Sequence, residues 1–217
     1  MLTVLLTRHG HTDKSEPEQY LGQRLVAKLT DRGLHDAHAL ADRLTGVRVD
    51  RLISSPLARA VETAEILAPA VGATVETDAR LSELDYGAWE GLTVEELDAR
   101  FPGARELYEI DPAMHNVGGG ESGIEVAARV SDLIDSLLSW GLADDTDRTA
   151  LLVGHSSVNR VLLALVMGVG LRDYRRRFRQ DWTSLTVVRW QDRESGPLLM
   201  LANDVSHTRG LAGATWE

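Results

Sequence analysis

The chain has 217 residues, no cysteine, 43% hydrophobic residues and a formal net charge of −10. That length and apolar content suit one domain with a sizeable core, and the lack of cysteine excludes thiol catalysis, disulfides and thiolate metal sites. The acidic balance argues against a nucleic-acid groove, which needs a basic stripe, and against binding to an anionic membrane surface. An acidic chain can still carry one basic pocket for an anion.

The segment after Met1 and the lengths of the apolar runs indicate the cellular location of the protein. Met1 leads directly into a short apolar strand with no basic region or cleavage-like site, so we expect no signal peptide. No apolar run approaches the roughly 18 residues that a membrane span needs. We therefore expect a cytoplasmic protein.

Strand-like and helix-like segments alternate along the chain. Short β-type apolar runs predict strands, and apolar positions at helical spacing predict helices. This alternation predicts an α/β fold, a three-layer α/β/α sandwich with a mostly parallel central sheet. In chain order, we predict a strand Leu2–Thr7, a helix Asp31–Leu44, a strand Arg51–Ser54, a helix Pro56–Val71, an edge strand Thr74–Thr77, helices Thr93–Arg100 and Glu121–Trp140, a strand Thr149–Gly154, helices Ser157–Met167 and Leu171–Phe178, and hairpin strands Ser184–Trp190 and Leu198–Ala202.

The segment Asp85–Gly120 interrupts this alternation, and we predict that it is a short lid over the site within a single domain of residues 1–217. Ser55 and Pro56 predict the N-cap and first residue of a helix. The run Gly118–Ser122 either cradles a phosphate with its amides or connects flexibly to a helix that Glu121 and Ser122 cap. The Gly- and Ala-rich tail after His207 is expected to be mobile.

The chemistry-bearing residues begin at the end of the first strand, where the sequence reads Thr7-Arg8-His9-Gly10-His11-Thr12. Ligands of open α/β sheets bind at the carboxyl ends of strands. Arginine offers a planar fork of donors for phosphate oxygens, and histidine can act as nucleophile, acid or base near neutral pH. Glycine allows the backbone to turn sharply there, so Gly10 is our candidate for a close carbonyl that binds one nitrogen of His9.

Three further segments strengthen this signal. They are Ser54-Ser55-Pro56-Leu57-Ala58-Arg59-Ala60-Val61-Glu62-Thr63-Ala64, the acidic and Gly-rich Leu81-Ser82-Glu83-Leu84-Asp85-Tyr86-Gly87-Ala88-Trp89-Glu90-Gly91, and Ala150-Leu151-Leu152-Val153-Gly154-His155-Ser156-Ser157. The last of them repeats the apolar run, glycine and histidine of the N-terminal segment. Arg59 falls near the first turn of a helix, where the helix dipole also favours an anion.

These four segments, in this order, resemble the histidine phosphatase superfamily, which includes the cofactor-dependent phosphoglycerate mutases. The resemblance implies that His9 is the nucleophile and forms a phosphohistidine, and that Glu83 is the general acid for the leaving group. It also implies that Arg8, Arg59 and a protonated His155 surround the phosphoryl oxygens. The predicted catalytic residues are therefore Arg8, His9, Arg59, Glu83 and His155, and the predicted substrate-binding residues are Arg8, Arg59, His155, Ser15, Gln23 and Ser156.

Some positions depart from the family pattern. His11 stands where many relatives carry an acidic residue, and it either lines the substrate mouth or is solvated. Ser15 stands where relatives often have asparagine, and its hydroxyl can still reach the phosphate.

A His9–His11 metal pair is disfavoured because no carboxylate cluster with ligand spacing accompanies it. The arginine-rich run Arg172–Arg179 is expected to be a solvated helix face, with a partner contact as the alternative.

The predicted function is a metal-independent phosphomonoesterase without cofactor, acting on a small phosphorylated metabolite. Phosphoglycerate mutase-type phosphoryl transfer is the alternative, although the insertion after Glu83 is shorter than mutases usually have. A weakly active phosphate-binding regulatory module and a metal-dependent hydrolase are further alternatives. An exposed strand edge in the C-terminal hairpin makes a homodimer possible.

Overall fold

The computed structural model describes residues 1–209, which form six strands and eight α-helices. The predicted tail after His207 lies almost wholly outside the described residues. The strands are β1 (Leu2–Arg8), β2 (Arg51–Ser54), β3 (Val75–Thr77), β4 (Arg148–Gly154), β5 (Leu185–Trp190) and β6 (Pro197–Asp204). The helices are α1 (Asp31–Leu44), α2 (Ala58–Val71), α3 (Val94–Arg100), α4 (Ala104–Ile110), α5 (Gly123–Gly141), α6 (Ser156–Val166), α7 (Tyr174–Arg177) and α8 (Ser206–Arg209).

The six strands form one sheet in the order β3-β2-β4-β1-β5-β6. Strands β1 to β4 run parallel, and β5 and β6 add an antiparallel hairpin beside β1. In the register of β1 and β4, Arg8 lies opposite Gly154. The residues that follow these two strands, starting with His9 and His155, therefore leave the sheet side by side.

Helices cover both faces of the sheet, as the strand–helix alternation predicts. One apolar core packs α5 and α6 against side chains such as Leu6 and Leu152. The other packs α1 and α2 against the opposite face, where Leu5 and Leu151 point. The alternating direction of neighbouring side chains along β1 and β4 explains why each central strand contributes to both cores. The predicted three-layer α/β fold is confirmed.

The insertion Asp85–Gly120 packs on the larger core instead of standing apart from it. Its side chains Tyr86, Trp89, Leu97 and Tyr108 are buried there. The helix α4 within it was not predicted, because Tyr108 is its only buried residue and so no apolar stripe repeats along it. A role of this segment as a lid remains a prediction.

Two predicted helices differ from the structure. The helix expected from Pro56 begins at Ala58 with Leu57 as its N-cap, so the prediction of Ser55 as N-cap is wrong. The Ser55 hydroxyl instead accepts a hydrogen bond from the Leu57 N–H (3.2 Å) and shares another with His155. The helix expected over Leu171–Phe178 is a 3-10 turn followed by the four-residue α7. Among the described residues, no helix combines the length and the apolar character needed to cross a membrane.

Candidate active site

A cavity of about 240 Å³ opens beside the carboxyl ends of β1 and β4. Its walls come from the loop after β1, the segment around Glu83, the start of α6 and the insertion. Its lining combines cations, carboxylates, hydroxyls and aromatic rings in one small space. The lining residues used below are Arg8, His9, Ser15, Glu18, Tyr20, Glu83, Tyr86, Val94, Glu109, Ser156, Arg160, Arg175 and Trp182.

His9 is oriented by the carbonyl that the sequence suggested. Its Nδ1 lies 2.7 Å from the Gly10 carbonyl oxygen, so Nδ1 carries the proton and donates it to that oxygen. The Nε2 atom is then left with its lone pair, which is the form a nucleophile needs. Burial and the neighbouring charges of Arg59 and Arg8 lower the pKa of His9 well below its ordinary value. The ring therefore stays neutral at neutral pH.

Arg59 lies against the reactive nitrogen. Its Nε donates to His9 Nε2 at 3.3 Å, and its Nη2 donates to the Gly22 carbonyl at 2.8 Å. The side chain is buried, and burial lowers its pKa to about 10. At neutral pH it thus keeps its charge beside the point where a phosphoryl group would bind.

Arg8 supplies the second cation. Its Nη1 donates to the Gln180 carbonyl at 3.0 Å, and its guanidinium lies 4.9 Å from the Trp182 ring centroid. The Nε atom is buried and finds no hydrogen-bond partner in the part of the chain that the structure describes. Within residues 1–209, neither Arg8 nor Arg59 has a carboxylate within 4.0 Å. Two guanidinium groups without an acidic partner, that of the buried Arg59 and that of the half-buried Arg8, are suited to bind an anion.

His155 completes the group next to His9, with the two ring centroids 5.0 Å apart. Its Nε2 shares a hydrogen bond with the Ser55 hydroxyl at 2.8 Å. Burial and the charges of Arg59 and Arg8 lower the pKa of His155 well below its ordinary value. The imidazole is therefore neutral in the ligand-free site, and the protonated His155 expected around bound phosphoryl oxygens remains a prediction.

Glu83 points into the same cavity from the segment before the insertion. Its Oε1 accepts hydrogen bonds from the backbone N–H groups of Leu84 (2.8 Å) and Val158 (3.1 Å). Its Oε2 accepts from the Ser157 N–H at 3.0 Å. The N-terminus of α6 thus holds the carboxylate, and Oε2 retains acceptor capacity for a proton.

Two side chains that do not line the cavity position Glu83. Gln23 Nε2 donates to the Glu83 carbonyl at 2.7 Å and to Glu121 at 3.0 Å. Arg129 donates to the same carbonyl at 3.2 Å and forms an ion pair with Glu121 at 3.0 Å. The amide of Gln23 is thus turned toward protein groups, whereas it was predicted to bind substrate.

The remaining predicted residues divide between the cavity and its surroundings. Ser15 and Ser156 both line the cavity, and the Ser15 hydroxyl accepts from the Thr12 N–H at 3.0 Å. His11 neither lines the mouth nor is solvated, because it is buried, shares a hydrogen bond with Thr30 (2.9 Å) and packs on Trp182. Glu121 does not cap α5, since Ser122 and Glu125 form that capping box.

Sequence reasoning missed several lining residues. Arg175 belongs to the run expected to be a solvated face, yet it is half-buried and lines the cavity, as does Arg160 on α6. The spacing of Ser156 and Arg160, four residues apart on one helix face, is the signal that could have found Arg160. Among residues 1–209, no group of three or more His, Asp or Glu residues is placed to hold a metal ion.

Comparison with known protein families shows to which family this chain belongs. Residues 4–204 match the family model for the histidine phosphatase superfamily, branch 1. The chain belongs to this superfamily. The resemblance drawn from the four segments is thereby confirmed.

The relatives of this chain include a phosphatase and a probable mutase. The glucosyl-3-phosphoglycerate phosphatase of Mycobacterium tuberculosis is 38% identical over 168 residues, covering 76% of this chain and 74% of that protein. The probable phosphoglycerate mutase GpmB of Proteus mirabilis is 32% identical over 98% of this chain and 97% of its own length. These relatives confirm the prediction of a phosphatase of the histidine phosphatase superfamily.

Solved structures agree with the fold. The structure of Bacillus stearothermophilus YhfR superposes with a TM-score of 0.85 at 27% identity, covering 96% of this chain and all (100%) of that chain. The mycobacterial glucosyl-3-phosphoglycerate phosphatase in complex with VO3 gives a TM-score of 0.81 at 30% identity, covering 93% and 98% of the two chains.

Proposed function

We propose that this protein hydrolyses a small phosphomonoester through a phosphohistidine formed on Nε2 of His9. The observation that carries this proposal is the orientation of His9. Its Nδ1 donates to the Gly10 carbonyl, so the unprotonated Nε2 faces Arg59 at 3.3 Å, and Arg8, which has no acidic partner among the described residues, lines the cavity beside it.

In the first step, Nε2 attacks phosphorus as the bond to the leaving oxygen breaks. Arg8 and Arg59 neutralise the charge on the phosphoryl oxygens, which is the main requirement of phosphoryl transfer. Glu83, protonated at Oε2, gives its proton to the leaving oxygen. In the second step, water attacks phosphorus, Glu83 takes a proton from that water, and the bond to Nε2 breaks.

His155 assists once the anion is bound. A phosphate dianion beside a neutral imidazole favours its protonated form, because an opposite charge within a few ångströms stabilises it. We propose that His155 gains a proton when substrate binds and returns it when phosphate leaves. Ser15 and Ser156, which line the cavity, are positioned to donate hydroxyl hydrogen bonds to the same ligand.

Phosphoglycerate mutase-type transfer is the second candidate, since the relative that matches 98% of the chain is named a probable phosphoglycerate mutase. A mutase passes the phosphoryl group from the histidine to an organic acceptor instead of water.

Localisation in the cytoplasm and a homodimer remain predictions.

The test is phosphate release from a panel of phosphomonoesters in the presence of EDTA, comparing the parent protein with His9→Ala. We expect release that survives EDTA and falls to background in the variant, because the nucleophile is lost. His38→Ala, an exposed histidine of α1, is the matched control and should keep the parent rate. Parent-level release by His9→Ala would overturn the phosphohistidine, and transfer only with a bisphosphate primer would favour the mutase.

A further inference from the structure

Beyond the phosphoryl-binding group, the cavity carries a second pair of cations. Arg160 and Arg175 both line it, from α6 and α7. Ser156 and Arg160 lie four residues apart on α6, so Arg160 is roughly 6 Å further along the helix axis from the end that holds Glu83. This pair, Arg160 and Arg175, is called the distal arginine pair below.

The distal arginine pair has no acidic partner. Within the described residues, no carboxylate lies within 4.0 Å of either guanidinium, and Arg160 Nε is buried without a hydrogen-bond partner. Burial, and after it the charge of Arg175, lower the pKa of Arg160, so the two cations repel each other across the cavity. Such an arrangement costs free energy in the empty protein, and a bound anion would offset that cost.

The carboxylates of the same cavity are engaged elsewhere or exposed. Glu83 is held by backbone N–H groups at the start of α6. Glu109 forms an ion pair with Arg105 at 2.9 Å, and Glu18 is exposed to solvent. None of the three therefore neutralises the distal arginine pair by a direct ion pair.

Arg175 also has a protein contact that leaves most of its donors free. Its Nη1 donates to the Tyr108 hydroxyl at 3.3 Å, and its guanidinium lies 5.0 Å from the Tyr108 ring centroid. One contact accounts for one of the five N–H donors of an arginine. The tyrosine thus fixes the guanidinium plane while the remaining donors stay available to the cavity.

We propose that the distal arginine pair binds a carboxylate of the substrate, so that the preferred substrate is a phosphorylated organic acid with a short carbon skeleton. Two planar guanidinium groups match a carboxylate in charge and geometry. The cavity of about 240 Å³ limits the skeleton between the two anionic ends, and Tyr20, Tyr86 and Val94 offer it an apolar wall. This inference rests on the proposed phosphatase function.

The test compares two esters that differ in a single group. In 3-phosphoglycerate a carboxylate stands where glycerol 3-phosphate has a hydroxymethyl group. We expect the parent protein to favour the acid by roughly ten- to a hundredfold in kcat/KM, the usual effect of hydrogen bonds to a charged group. Arg160→Met and Arg175→Met should each lower that ratio at least about tenfold, mainly through KM, and Arg160→Lys should restore part of it.

A matched control lies next to the pair. Arg176 is exposed, donates to the Glu109 carbonyl at 3.1 Å and does not line the cavity, so Arg176→Met should leave the ratio at the parent value. Equal losses for both esters in Arg160→Met and Arg175→Met would assign the pair a structural role and overturn the proposal. A parent protein without preference for the acid would overturn it as well.

Binding separates this proposal from the proposed hydrolysis. Calorimetric titration of His9→Ala with each ester measures affinity without turnover. Tighter binding of 3-phosphoglycerate that is lost on adding Arg160→Met supports the subsite even if the parent protein hydrolyses neither ester, an outcome that would overturn the proposed function alone. Equal affinity for the two esters in His9→Ala would overturn the subsite alone.

Discussion

At the scale of single residues, main-chain polar groups orient the side chains of the site. The Gly10 carbonyl binds Nδ1 of His9, which leaves Nε2 unprotonated and facing Arg59. Backbone N–H groups hold Glu83 in a fixed orientation at the cavity wall. Each reactive side chain is thus fixed by main-chain groups, which move less than long side chains and keep the reacting atoms in place.

Replacing Glu83 tests its role as proton donor. Glu83→Gln keeps the shape of the side chain but cannot give up a proton to the leaving oxygen. We expect hydrolysis of alkyl phosphates to slow by about 10² to 10⁴, the usual contribution of general acid catalysis. The phosphate ester of p-nitrophenol should lose far less, because its leaving group needs no proton.

The measurement is kcat for both ester types in the parent protein and the variant, with circular dichroism as the control for folding. Equal losses for alkyl and p-nitrophenyl phosphates would contradict proton donation by Glu83. Such a result would assign the residue to holding the site instead.

At the scale of elements, helix starts and strand ends meet around the site, and close backbone contacts hold them. The N-terminal turn of α1 packs on the loop after β1, where the Thr30 N–H donates to the His11 carbonyl at 3.1 Å. Gly33 in that turn leaves no room for a side chain, since an added Cβ would lie 2.1 Å from the same carbonyl oxygen. This contact fixes the loop that carries His9.

Gly33→Ala is therefore expected to destabilise the protein, although alanine is the better helix former by about 1 kcal/mol. The clash involves backbone rather than a flexible side chain, and such overpacking costs about 1 to 3 kcal/mol. The net loss should appear in the free energy of unfolding measured with urea, together with slower catalysis, because the loop must shift.

Gly170→Ala is the matched control for Gly33→Ala, since an added Cβ at Gly170 meets nothing within 4 Å. It should leave both the free energy of unfolding and the activity near the parent values. If Gly33→Ala left the free energy of unfolding unchanged or raised it, the prediction would be wrong, because the loop after β1 could then move away from α1 at little cost.

At the scale of the whole molecule, a chain with a net charge of −10 gathers cations at one cavity. Arg8, Arg59, Arg160 and Arg175 have no carboxylate within ion-pair distance among the described residues. The buried His9 and His155 are kept neutral by burial and by the charges of Arg59 and Arg8, which lower both pKa values. Anion binding and stability are thereby linked to pH.

The direction of that linkage follows from the lowered pKa values. In the unfolded chain each histidine takes up a proton below about pH 6.5, whereas the folded chain resists protonation of His9 and His155. Stability is therefore full above pH 6.5 and is lost as the pH falls through that value, by up to about 1.4 kcal/mol per pH unit for each histidine. His207, whose pKa is lowered by burial, adds to the same loss.

Urea unfolding at pH 7.5, 6 and 5 checks this expectation. The decline should be shallower in His155→Asn than in the parent, while the exposed His38→Asn should keep the parent slope. Asp204 does not interfere, because its hydrogen bonds with Arg43 lower its pKa to about 2, and its contribution is lost only below about pH 4. A free energy of unfolding that is flat between pH 7.5 and 5 would contradict the prediction.

The sequence by itself predicted most of the strands and helices in their chain order, the helix Asp31–Leu44 to the residue, and the Gly10 carbonyl as the hydrogen-bond partner of His9. These features depend on periodicity and on groups a few residues apart, which a linear sequence displays. Only the tertiary structure decided that Ser55 binds His155, that Gln23 supports Glu83, and that Arg160 and Arg175 enter the cavity. Those contacts join residues that lie far apart along the chain. Burial, in turn, arises only when the layers pack, and it is burial that changes the charge states of the histidines.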